Sequence, residues 1–441
     1  MVSARILFGF VVLGALLPIA CGTEGEPATN PTPPASAESV SPTASVAEDT
    51  VTPAGPSGGH PTPTPTSSET QTPQVGVVFF LRPPEEPWTP ETDYWDQLGR
   101  GDLWMANADG SGEQQVTFGR ANVTFAGFMT TEDGPTLYYT SGDGTTFDLW
   151  RRVWKTGAET KLLSFNGWPG SVGANPIGST LAAVRPDGRY AALVEADNIV
   201  LADLATGERR TLFKTNRPDC KETDIVSCFS YSQPRWSPDG SLLAVQHTGW
   251  EWKGDFIVDP LEPFAQPAAH GPFGIPYVPG GIEWRTPDEA CTKASAYDPG
   301  GLYLIHGPDW TFDPYQAEDI SGYCPDSGEK FGGHVVQCMW LDDRRIAFLA
   351  VLLRPDTSSR IEVIDVDTRE TRTLAEFTHE DGAPQASDMF ALRGEGLIVY
   401  NSLHHEQFMT ASLIRVADGS NQPILRERDH VIALVPAPGA E

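Results

Sequence analysis

The chain has 441 residues and a formal net charge of −29. This length allows one large domain or two to three small ones, with enough residues for a sizeable buried core. The charge argues against nucleic acid as a partner, because neutralising phosphates requires clustered Lys and Arg.

The first residues have the pattern of an export signal. Arg5 precedes the apolar run 6–20, which is too short to span a bilayer comfortably and is typical of a signal-peptide core. The run ends in Leu17-Pro18-Ile19-Ala20-Cys21, which resembles a bacterial lipobox, although Pro18 stands where Leu is usual. The resemblance implies that 1–20 is removed as a signal peptide and that Cys21 is lipidated, anchoring the protein to the cell membrane on its extracytoplasmic side. An ordinary secretory signal with an incidental cysteine is the alternative.

The segment 21–74 follows the cleavage point and is rich in Pro, Thr and Ser. It shows no apolar periodicity, so it cannot bury a core of its own. We therefore expect a lipidated N-terminus and a disordered tether, which holds the remaining residues 75–441 clear of the membrane.

A turn motif recurs through the rest of the chain. Its clearest copy is Arg235-Trp236-Ser237-Pro238-Asp239-Gly240, followed by the apolar run 242–245. Pro presets φ for a type I turn, and Gly accepts the positive φ that follows. Degenerate copies begin near positions 128, 184, 284, 340 and 390. A spacing of about 50 residues indicates a repeat architecture.

A second motif alternates with the first and reads as strand, tight turn and strand. The copies share an apolar run, a short Asp- or Gly-containing turn and a second run, and lie at 103–118, 149–157, 199–213, 361–374 and 413–419. Each repeat unit is therefore predicted to contain four short strands, and none has a helical period.

The pairing of WSPDG-type turns with hairpins such as LWMANADGSGEQQVT resembles the WD40-like (PD40) repeats of TolB-like β-propellers, and the propeller domains of prolyl-oligopeptidase relatives. The resemblance covers 75–441 and implies an all-β propeller of four-stranded antiparallel blades. The copies suggest seven blades, with six or eight as alternatives. The first blade lacks an inner strand before 75–81, and the apolar segment 430–439 is expected to supply it and close the ring. Trp236, Trp284 and Trp340 are expected to pack between blades.

Five cysteines follow Cys21, and an exported setting permits disulfides. Cys220 and Cys228 bracket a short loop and are predicted to pair. Cys291, Cys324 and Cys338 compete for a second bridge, which leaves one thiol, most simply Cys338 within a strand. No cysteine or histidine spacing indicates zinc.

A propeller carries its connections on two faces. With strands a to d in each blade, the a–b and c–d turns lie on one face, here the turn face, and the b–c and d–a connections lie on the other, the loop face. We expect nearly all long insertions on the loop face, at 82–101, 214–230, 247–255, 263–281, 312–334 and 402–411. Their aromatic and histidine residues are the binding-face candidates: Trp88, Tyr94, Trp95, Trp250, Trp252, Phe273, Tyr277, His404 and His405. The alternative is that these side chains pack the long loops against the propeller and bind nothing.

The favoured function is a monomeric, non-catalytic binding module whose loop face engages an envelope protein or a glycan, with no cofactor. No G-x-S-x-G elbow is present, and no residues remain after the seventh blade for a hydrolase domain. The alternative is a metal-dependent, lyase-like enzyme acting on polysaccharide, for which His247, His270, His334, His404 and His405 are the only support. Asp143 and Asp148 could hold calcium, or serve ordinary hairpin chemistry.

Overall fold

A computed structural model describes a defined part of the chain. The described residues are 75–84, 101–167, 180–215, 229–248, 253–263, 277–279, 281–293, 301–308, 310, 318–322, 333–352, 358–378, 385–404 and 408–438. They belong to one compact unit. They form strands and turns, and among them no helix is long and apolar enough to cross a membrane.

The described residues form 27 strands. In chain order the strands are β1 (Gly76–Arg82), β2 (Asp102–Asn107), β3 (Gln114–Gln115), β4 (Thr124–Thr131), β5 (Gly134–Gly142), β6 (Thr146–Val153), β7 (Glu159–Asn166), β8 (Ala182–Val184), β9 (Tyr190–Glu195), β10 (Asn198–Asp203), β11 (Arg209–Phe213), β12 (Ser230–Trp236), β13 (Leu243–Thr248), β14 (Lys253–Val258), β15 (Tyr277–Pro279), β16 (Ile282–Thr286), β17 (Glu289–Lys293), β18 (Leu302–His306), β19 (Gly333–Trp340), β20 (Arg345–Leu352), β21 (Ser358–Asp365), β22 (Thr371–Thr378), β23 (Gln385–Leu392), β24 (Leu397–His404), β25 (Phe408–Arg415), β26 (Asn421–Pro423) and β27 (His430–Pro436).

The strands form seven antiparallel sheets, and the protein is a seven-bladed β-propeller. Blade 1 is β27-β1-β2-β3, blade 2 is β4 to β7, blade 3 is β8 to β11 and blade 4 is β12 to β15. Blade 5 is β16 to β18, blade 6 is β19 to β22 and blade 7 is β23 to β26. The inner strands β27, β4, β8 and β12 contact one another in that order, as do β16, β19, β23 and β27. The predicted all-β propeller with seven blades is confirmed.

Blade 5 has three described strands where four were expected. Residues near Asp319 lie beside the first residue of β18 instead: Asp319 Oδ1 accepts a hydrogen bond from Leu302 N at 2.9 Å, and Ile320 N donates to Leu302 O at 2.8 Å. A side chain and one backbone bond therefore satisfy the loop-face end of the outer edge of β18.

The C-terminal strand closes the ring, as the sequence predicted. β27 pairs antiparallel with β1, with Gly76 opposite Pro436 and Leu81 opposite His430. Asn401 ties β27 to blade 7, because its side-chain amide accepts from Val431 N at 3.0 Å and donates to Val431 O at 2.8 Å. The last strand of the chain thus joins the first and seventh blades through backbone and side-chain hydrogen bonds.

A buried ion pair locks this closure at the loop face. Arg82 ends β1, and its Nε and Nη2 donate to the two carboxylate oxygens of Asp429 at 2.8 and 2.6 Å. The guanidinium also contacts Glu113 at 2.8 Å and lies 4.5 Å from the centroid of the Trp104 ring. Asp429 precedes β27, and its side chain is 2% exposed. Two-point pairing fixes the orientation of the entering strand as well as its position.

The repeated turns are held by their own side chains. In the 237–242 turn, Gly240 N donates to Ser237 O at 2.9 Å, and Asp239 Oδ1 accepts from Ser241 N at 3.0 Å. The c–d turns use the same device, since Asp203 Oδ1 accepts from Ala205 N and Thr206 N, and Asp365 Oδ1 accepts from two equivalent amides. An Asp that accepts backbone amides in this way fixes a tight turn without help from a neighbouring blade.

The tryptophans of the turn motif lie between blades, as predicted. Trp236 Nε1 donates to Ala183 O of blade 3 at 2.9 Å. Trp340 is buried in a cluster with Cys291 of blade 5, and Trp284 packs edge-on against Trp310 with ring centroids 5.2 Å apart. These indoles therefore fill the seams between blades, rather than offering platforms to a ligand.

One cysteine prediction is wrong. Cys338, expected to be the leftover thiol, is disulfide-bonded to Cys291, with their Cα atoms 6.5 Å apart. Cys291 lies on β17 of blade 5 and Cys338 on β19 of blade 6, and both side chains are buried in the seam between them. The sequence could not select this pair, because it does not show which strands of neighbouring blades lie against each other in the folded protein. Cys220, Cys228 and Cys324 lie outside the described residues.

Gly240 should be intolerant of any side chain. Its φ is +73°, and an added Cβ would lie 2.9 Å from Arg185 Cγ and Nε. We expect Gly240→Ala to lower the free energy of unfolding by about 1–3 kcal/mol through backbone strain. The total loss should be larger than this, because the Arg185 side chain must also move away from the added Cβ. Gly207→Ala is the matched control, since Gly207 has φ of +76° but nothing within 4 Å of its added Cβ. Urea denaturation of both variants measures the difference, and equal losses would contradict the role given to Arg185.

Asp429→Asn should loosen the ring closure. Removing one partner of a buried pair leaves the Arg82 charge under-compensated, at a cost of about 3 kcal/mol. The control is Asp133→Asn, which breaks the exposed Arg151–Asp133 pair of blade 2 and should change stability by less than about 1 kcal/mol. Hydrogen exchange of the β27 amides should accelerate in the first variant only. Unchanged exchange there would show that Asp429 does not secure the strand.

Candidate binding face and inter-blade charged cluster

The two faces of the disc differ as the sequence analysis expected. Most turn-face connections are short and run between consecutive strands at 132–133, 154–158, 185–189, 204–208, 237–242, 287–288, 341–344, 366–370, 393–396 and 416–420. Loop-face connections include the long intervals 83–101, 167–181 and 214–229. Long connections on a rigid scaffold are the usual location of binding residues.

One long insertion lies on the opposite face from the one predicted. The interval 259–276 joins β14 to β15, and β14 ends at Val258 opposite Leu243, which directly follows the 237–242 turn. Tyr277 then pairs with Phe256, so this insertion leaves the blade at the turn face. The assignment of 263–281 to the loop face is therefore wrong: Tyr277 begins β15 at the turn-face end of blade 4, and Phe273 lies outside the described residues. The outer strand of blade 4 is too short to show an apolar alternation, so the sequence could not place it after the insertion.

Two other predicted loops are shorter than expected because the flanking strands continue into them. β13 runs to Thr248 and β14 begins at Lys253, which leaves 249–252 as the connection. β24 runs to His404, which pairs with Phe408 at the start of β25. His404 is therefore the last residue of a strand. Of the other loop-face candidates, Trp88, Tyr94, Trp95, Trp250, Trp252 and His405 lie outside the described residues.

The described part of the loop face presents an aromatic residue that the sequence analysis missed. Phe118, in the 116–123 connection between blades 1 and 2, is 72% exposed. The backbone around it is fixed by one carboxylate. Asp102 accepts hydrogen bonds from Thr117 Oγ1, Gly119 N and Arg120 N at 2.9, 3.0 and 3.1 Å. Phe118 is thus an exposed ring on a rigid support, which is the form of a binding hot spot.

Charged side chains from blades 4, 5 and 6 contact one another where these three blades pack together. Arg235 of β12 contacts Asp255 of β14, whose Oδ2 also accepts from Ile282 N at 2.9 Å. Glu283 of β16 follows Ile282 and lies 3.6 Å from Arg235 Nη1. Lys293 ends β17, and its Nζ donates to Val336 O of β19. We call this group, Arg235, Asp255, Glu283, Lys293 and the neighbouring His334 of β19, the inter-blade charged cluster.

The electrostatics of this cluster are set by burial and by the sharing of cations. Burial raises the pKa of Glu283, against the opposing effect of Arg235, while Asp255 raises it further and Lys293 lowers it. Burial and the nearby Lys293 both lower the pKa of His334. Asp255 is fully buried, and within the described ranges its Oδ1 has no hydrogen-bond partner. The cluster therefore holds two carboxylates and two cations, with Arg235 paired to both carboxylates and one oxygen of Asp255 left without a hydrogen bond among the described residues.

The turn-face end of the same region is tied together by arginines. Arg393, in the a–b turn of blade 7, donates to Arg285 O of blade 5 at 2.5 Å and to Asp343 of blade 6 at 2.6 Å. Arg285 in turn pairs with Glu289 at 2.7 Å and lies 5.1 Å from the Trp340 ring centroid. One side chain thus links three consecutive blades at the turn face.

The described histidines and acidic residues do not assemble a metal site. No group of three His, Cys, Asp or Glu with suitable placement occurs among the described residues. His247 is buried among Phe229, Tyr231 and Phe256, with ring centroids 4.8–5.0 Å from its own. Asp143 accepts from Thr145 N and Thr146 N at 2.8 Å, which is hairpin chemistry. His270 and His405 lie outside the described residues.

No protein-family model and no curated protein matches the sequence. Solved structures with the same fold include an oligogalacturonate lyase in complex with manganese, at 13% identity over 80% of this chain and 85% of the lyase, with a TM-score of 0.48. TolB from Acinetobacter baumannii is 15% identical over 82% of this chain and 67% of TolB, with a TM-score of 0.41. The β-propeller domain of the Trilobed protease from Pyrococcus furiosus is 10% identical over 79% and 94%, with a TM-score of 0.44. These likenesses carry no argument about function, and the propeller fold rests on the strand order of the seven sheets.

His247 should make stability depend on pH. Burial lowers its pKa from 6.5 to about 3, so below pH 6.5 the unfolded chain takes up a proton that the folded protein does not. Stability is then fully present above pH 6.5 and falls by about 1.4 kcal/mol per pH unit down to pH 3. His247→Phe keeps the aromatic contacts and should flatten the dependence of the free energy of unfolding on pH by this slope. His306→Gln, at an exposed position, should leave it unchanged. A slope that His247→Phe does not alter would assign the pH dependence to other groups.

Proposed function

We propose that this protein is a lipid-anchored, extracytoplasmic binding module whose loop face engages a protein of the cell envelope. Lipidation at Cys21 attaches it to the membrane, and 22–74 act as the tether. The propeller serves as a rigid scaffold without catalysis. The single observation that carries the proposal is Phe118, an exposed ring on a fixed backbone on the face that holds the long connections.

The rigidity of the support is what makes Phe118 suited to binding. Leu103 N donates to Thr117 Oγ1 at 2.9 Å, and Val116 N donates to Leu103 O at 2.8 Å, so the residues before the ring are bonded to β2. A segment whose backbone is already held in place loses less conformational entropy when a partner covers it. Aromatic residues, Phe among them, are also enriched in protein interfaces relative to the rest of the surface.

The inter-blade disulfide supports export independently of the N-terminal segment. Cys291 and Cys338 bond across a buried seam. Structural disulfides form and persist in oxidising compartments and are rare where thiols are kept reduced. Their presence fits a protein that folds after crossing the membrane, as the signal-like segment 1–20 implies.

The second candidate, a metal-assisted enzyme acting on polysaccharide, gains no specific support. His247, one of the five histidines on which it rests, is enclosed by aromatic rings and 1% exposed. His334 lies beside Lys293, and a cation there opposes the binding of a second cation. A glycan ligand for the loop face remains the alternative to a protein partner and is an outcome of the test below.

The proposal is tested by crosslinking on intact host cells. Phe118→Ser should reduce the yield of a specific protein adduct by roughly tenfold or more, as loss of a hot spot does. Combined replacement of Trp88, Trp95, Trp250 and Trp252 by Ala should reduce it further. The matched control is Leu261→Ser, since Leu261 is the other exposed large apolar side chain of the described residues, 45% exposed, and lies on the turn face.

The outcomes separate the candidates. A protein adduct that is lost in Phe118→Ser and kept in Leu261→Ser supports the binding module and locates its face. Equal adduct yields from both variants would contradict the role of the loop face. Retention of the protein on purified envelope glycan, with no protein adduct, would assign the face to glycan, and stoichiometric transition metal in the purified protein would favour the enzyme.

A further inference from the structure

Two outer strands of the propeller expose a long edge. β7 of blade 2 and β22 of blade 6 have eight residues each, whereas β3, β11, β15 and β26 have two to five. The outer edges of propeller blades are usually short, because the unpaired N–H and C=O groups of a long edge are a template for a further strand. Among the described strands, β7 and β22 are therefore the outer strands most open to pairing with another chain.

Blade 3 covers only the second half of β7. Asn166 N donates to Glu195 Oε1 at 3.2 Å, and Asn166 O accepts from Ala196 N at 3.1 Å. Ser164 O accepts from an arginine of the same blade. Within the described part of the chain, no group outside blade 2 bonds the backbone of 159–162. The first half of β7 is therefore the open half of its edge.

The open half directs two backbone positions outward. Val153 N donates to Ala158 O at 3.0 Å, so these residues form a hydrogen-bonded pair between β6 and β7. Bonded and non-bonded pairs alternate in an antiparallel ladder, so Glu159 and Lys161 direct their N–H and C=O groups away from β6. Glu159 is exposed although only 24% of its side chain is, which shows that its backbone is accessible. An extended segment laid along β7 would find two donors and two acceptors there.

Phe118 lies beside this open half of β7. Arg120 Nη2 contacts Glu159 Oε2 at 3.0 Å. Arg152 of β6 donates from Nη1 to Val116 O at 2.9 Å, so the residues on both sides of the ring are tied to the β6–β7 hairpin. This is compatible with a ring on the loop face, because twist of about 20–25° per strand turns the outer strand of a blade by about 60–75° from the inner one. The exposed ring and the open strand edge thus form one surface.

The occupant that fits this surface is an extended segment of another protein. Two copies of this chain paired along 159–162 would bury mainly these short edges and the two Phe118 rings, and a buried aromatic ring accounts for about 150–250 Å². A stable interface between folded proteins buries about 1,200–2,000 Å² in total. A peptide segment needs no such area, since main-chain hydrogen bonds along the added strand supply much of its affinity.

We propose that blade 2 binds an extended segment of the partner protein as a fifth strand along 159–162, with Phe118 packed against an apolar side chain of that segment. This deepens the proposed function and rests on it for the identity of the partner as a protein. β7 is the site rather than β22 because it has the aromatic neighbour. Of the described large apolar side chains only Phe118 and Leu261 are exposed, and Leu261 follows β14 of blade 4. Backbone pairing then provides the register, and the ring provides a side-chain contact.

The added strand is tested by removing one outward N–H group. Lys161→Pro takes away the donor of the open edge and leaves the β6–β7 ladder bonded. In the crosslinking experiment on intact host cells it should reduce the adduct yield roughly tenfold, since a carbonyl of the partner is left unbonded. Lys161→Ala measures the share that belongs to the side chain, and the loss in Lys161→Pro should clearly exceed it. Thr373→Pro is the matched control, because Thr373 has the same place before the bulge of β22, and it should leave the yield unchanged.

A measurement on the wild-type protein guards against a folding defect in the proline variant. The backbone amides of Glu159 and Lys161 should exchange rapidly with solvent in the free protein. In the purified adduct their exchange should slow by roughly tenfold or more, while the amide of Thr373 exchanges as before. Unchanged exchange of all three amides would contradict the added strand whatever the variants show.

The outcomes separate this inference from the proposed function. An adduct that persists in Lys161→Pro and is lost in Phe118→Ser would overturn the fifth strand and leave the proposed function standing. An adduct between two copies of this chain that is lost in Lys161→Pro would overturn it in favour of self-pairing. Equal losses in Lys161→Pro and Thr373→Pro would overturn it in favour of a general effect of proline on the outer strands. Absence of any protein adduct from the wild type would contradict both proposals.

Discussion

The structure depends on the pairing of its last strand with its first. Every blade except the first is built from consecutive strands, and only blade 1 takes one of its strands from the far end of the chain. Without β27, the ladder edge of β1 would be exposed and blade 7 would lose the neighbour that Asn401 bonds. The Arg82–Asp429 pair secures this joint at the loop face, where the cost of burying two charges is offset by two-point bonding. The closed ring then holds the connections of both faces in fixed positions.

The closed ring also explains why the two faces differ in chemistry. On the turn face, Asp203, Asp239 and Asp365 each accept amides of their own turn, so these carboxylates are engaged in fixing the turns. On the loop face, Asp102 uses the same device to fix the backbone beside Phe118, and the ring is left exposed. The same local interaction therefore stabilises a turn on one face and presents a contact residue on the other.

The sequence predicted those features that depend on local signals. The SPDG turns, the strand alternation and the absence of an inner strand before 75–81 were sufficient for the fold, the blade number and the closure by 430–439. It could not predict features that depend on which blades face each other. Cys291 and Cys338 come together only because β17 and β19 are neighbours across a seam. The exposure of Phe118 could not be predicted, since a single aromatic residue in a short connection is equally compatible with a buried position.

The inter-blade charged cluster could not be predicted from the sequence for the same reason. Arg235 belongs to the turn motif, and Glu283, Lys293 and His334 lie in strands whose patterns indicate only half-buried positions. Their contacts form only when the three blades pack together, because the partners of these charged side chains lie on neighbouring blades. Polar residues on inner strands cost stability unless their partners are supplied by neighbouring blades. Gln337 of inner strand β19 meets that condition by bonding the backbone of Met389 on the adjacent inner strand. Asn401, on the second strand of blade 7, bonds the backbone of Val431 on the adjacent inner strand in the same way. Glu283 of inner strand β16 meets it with a cation, since Arg235 of the adjacent blade 4 lies 3.6 Å from its carboxylate.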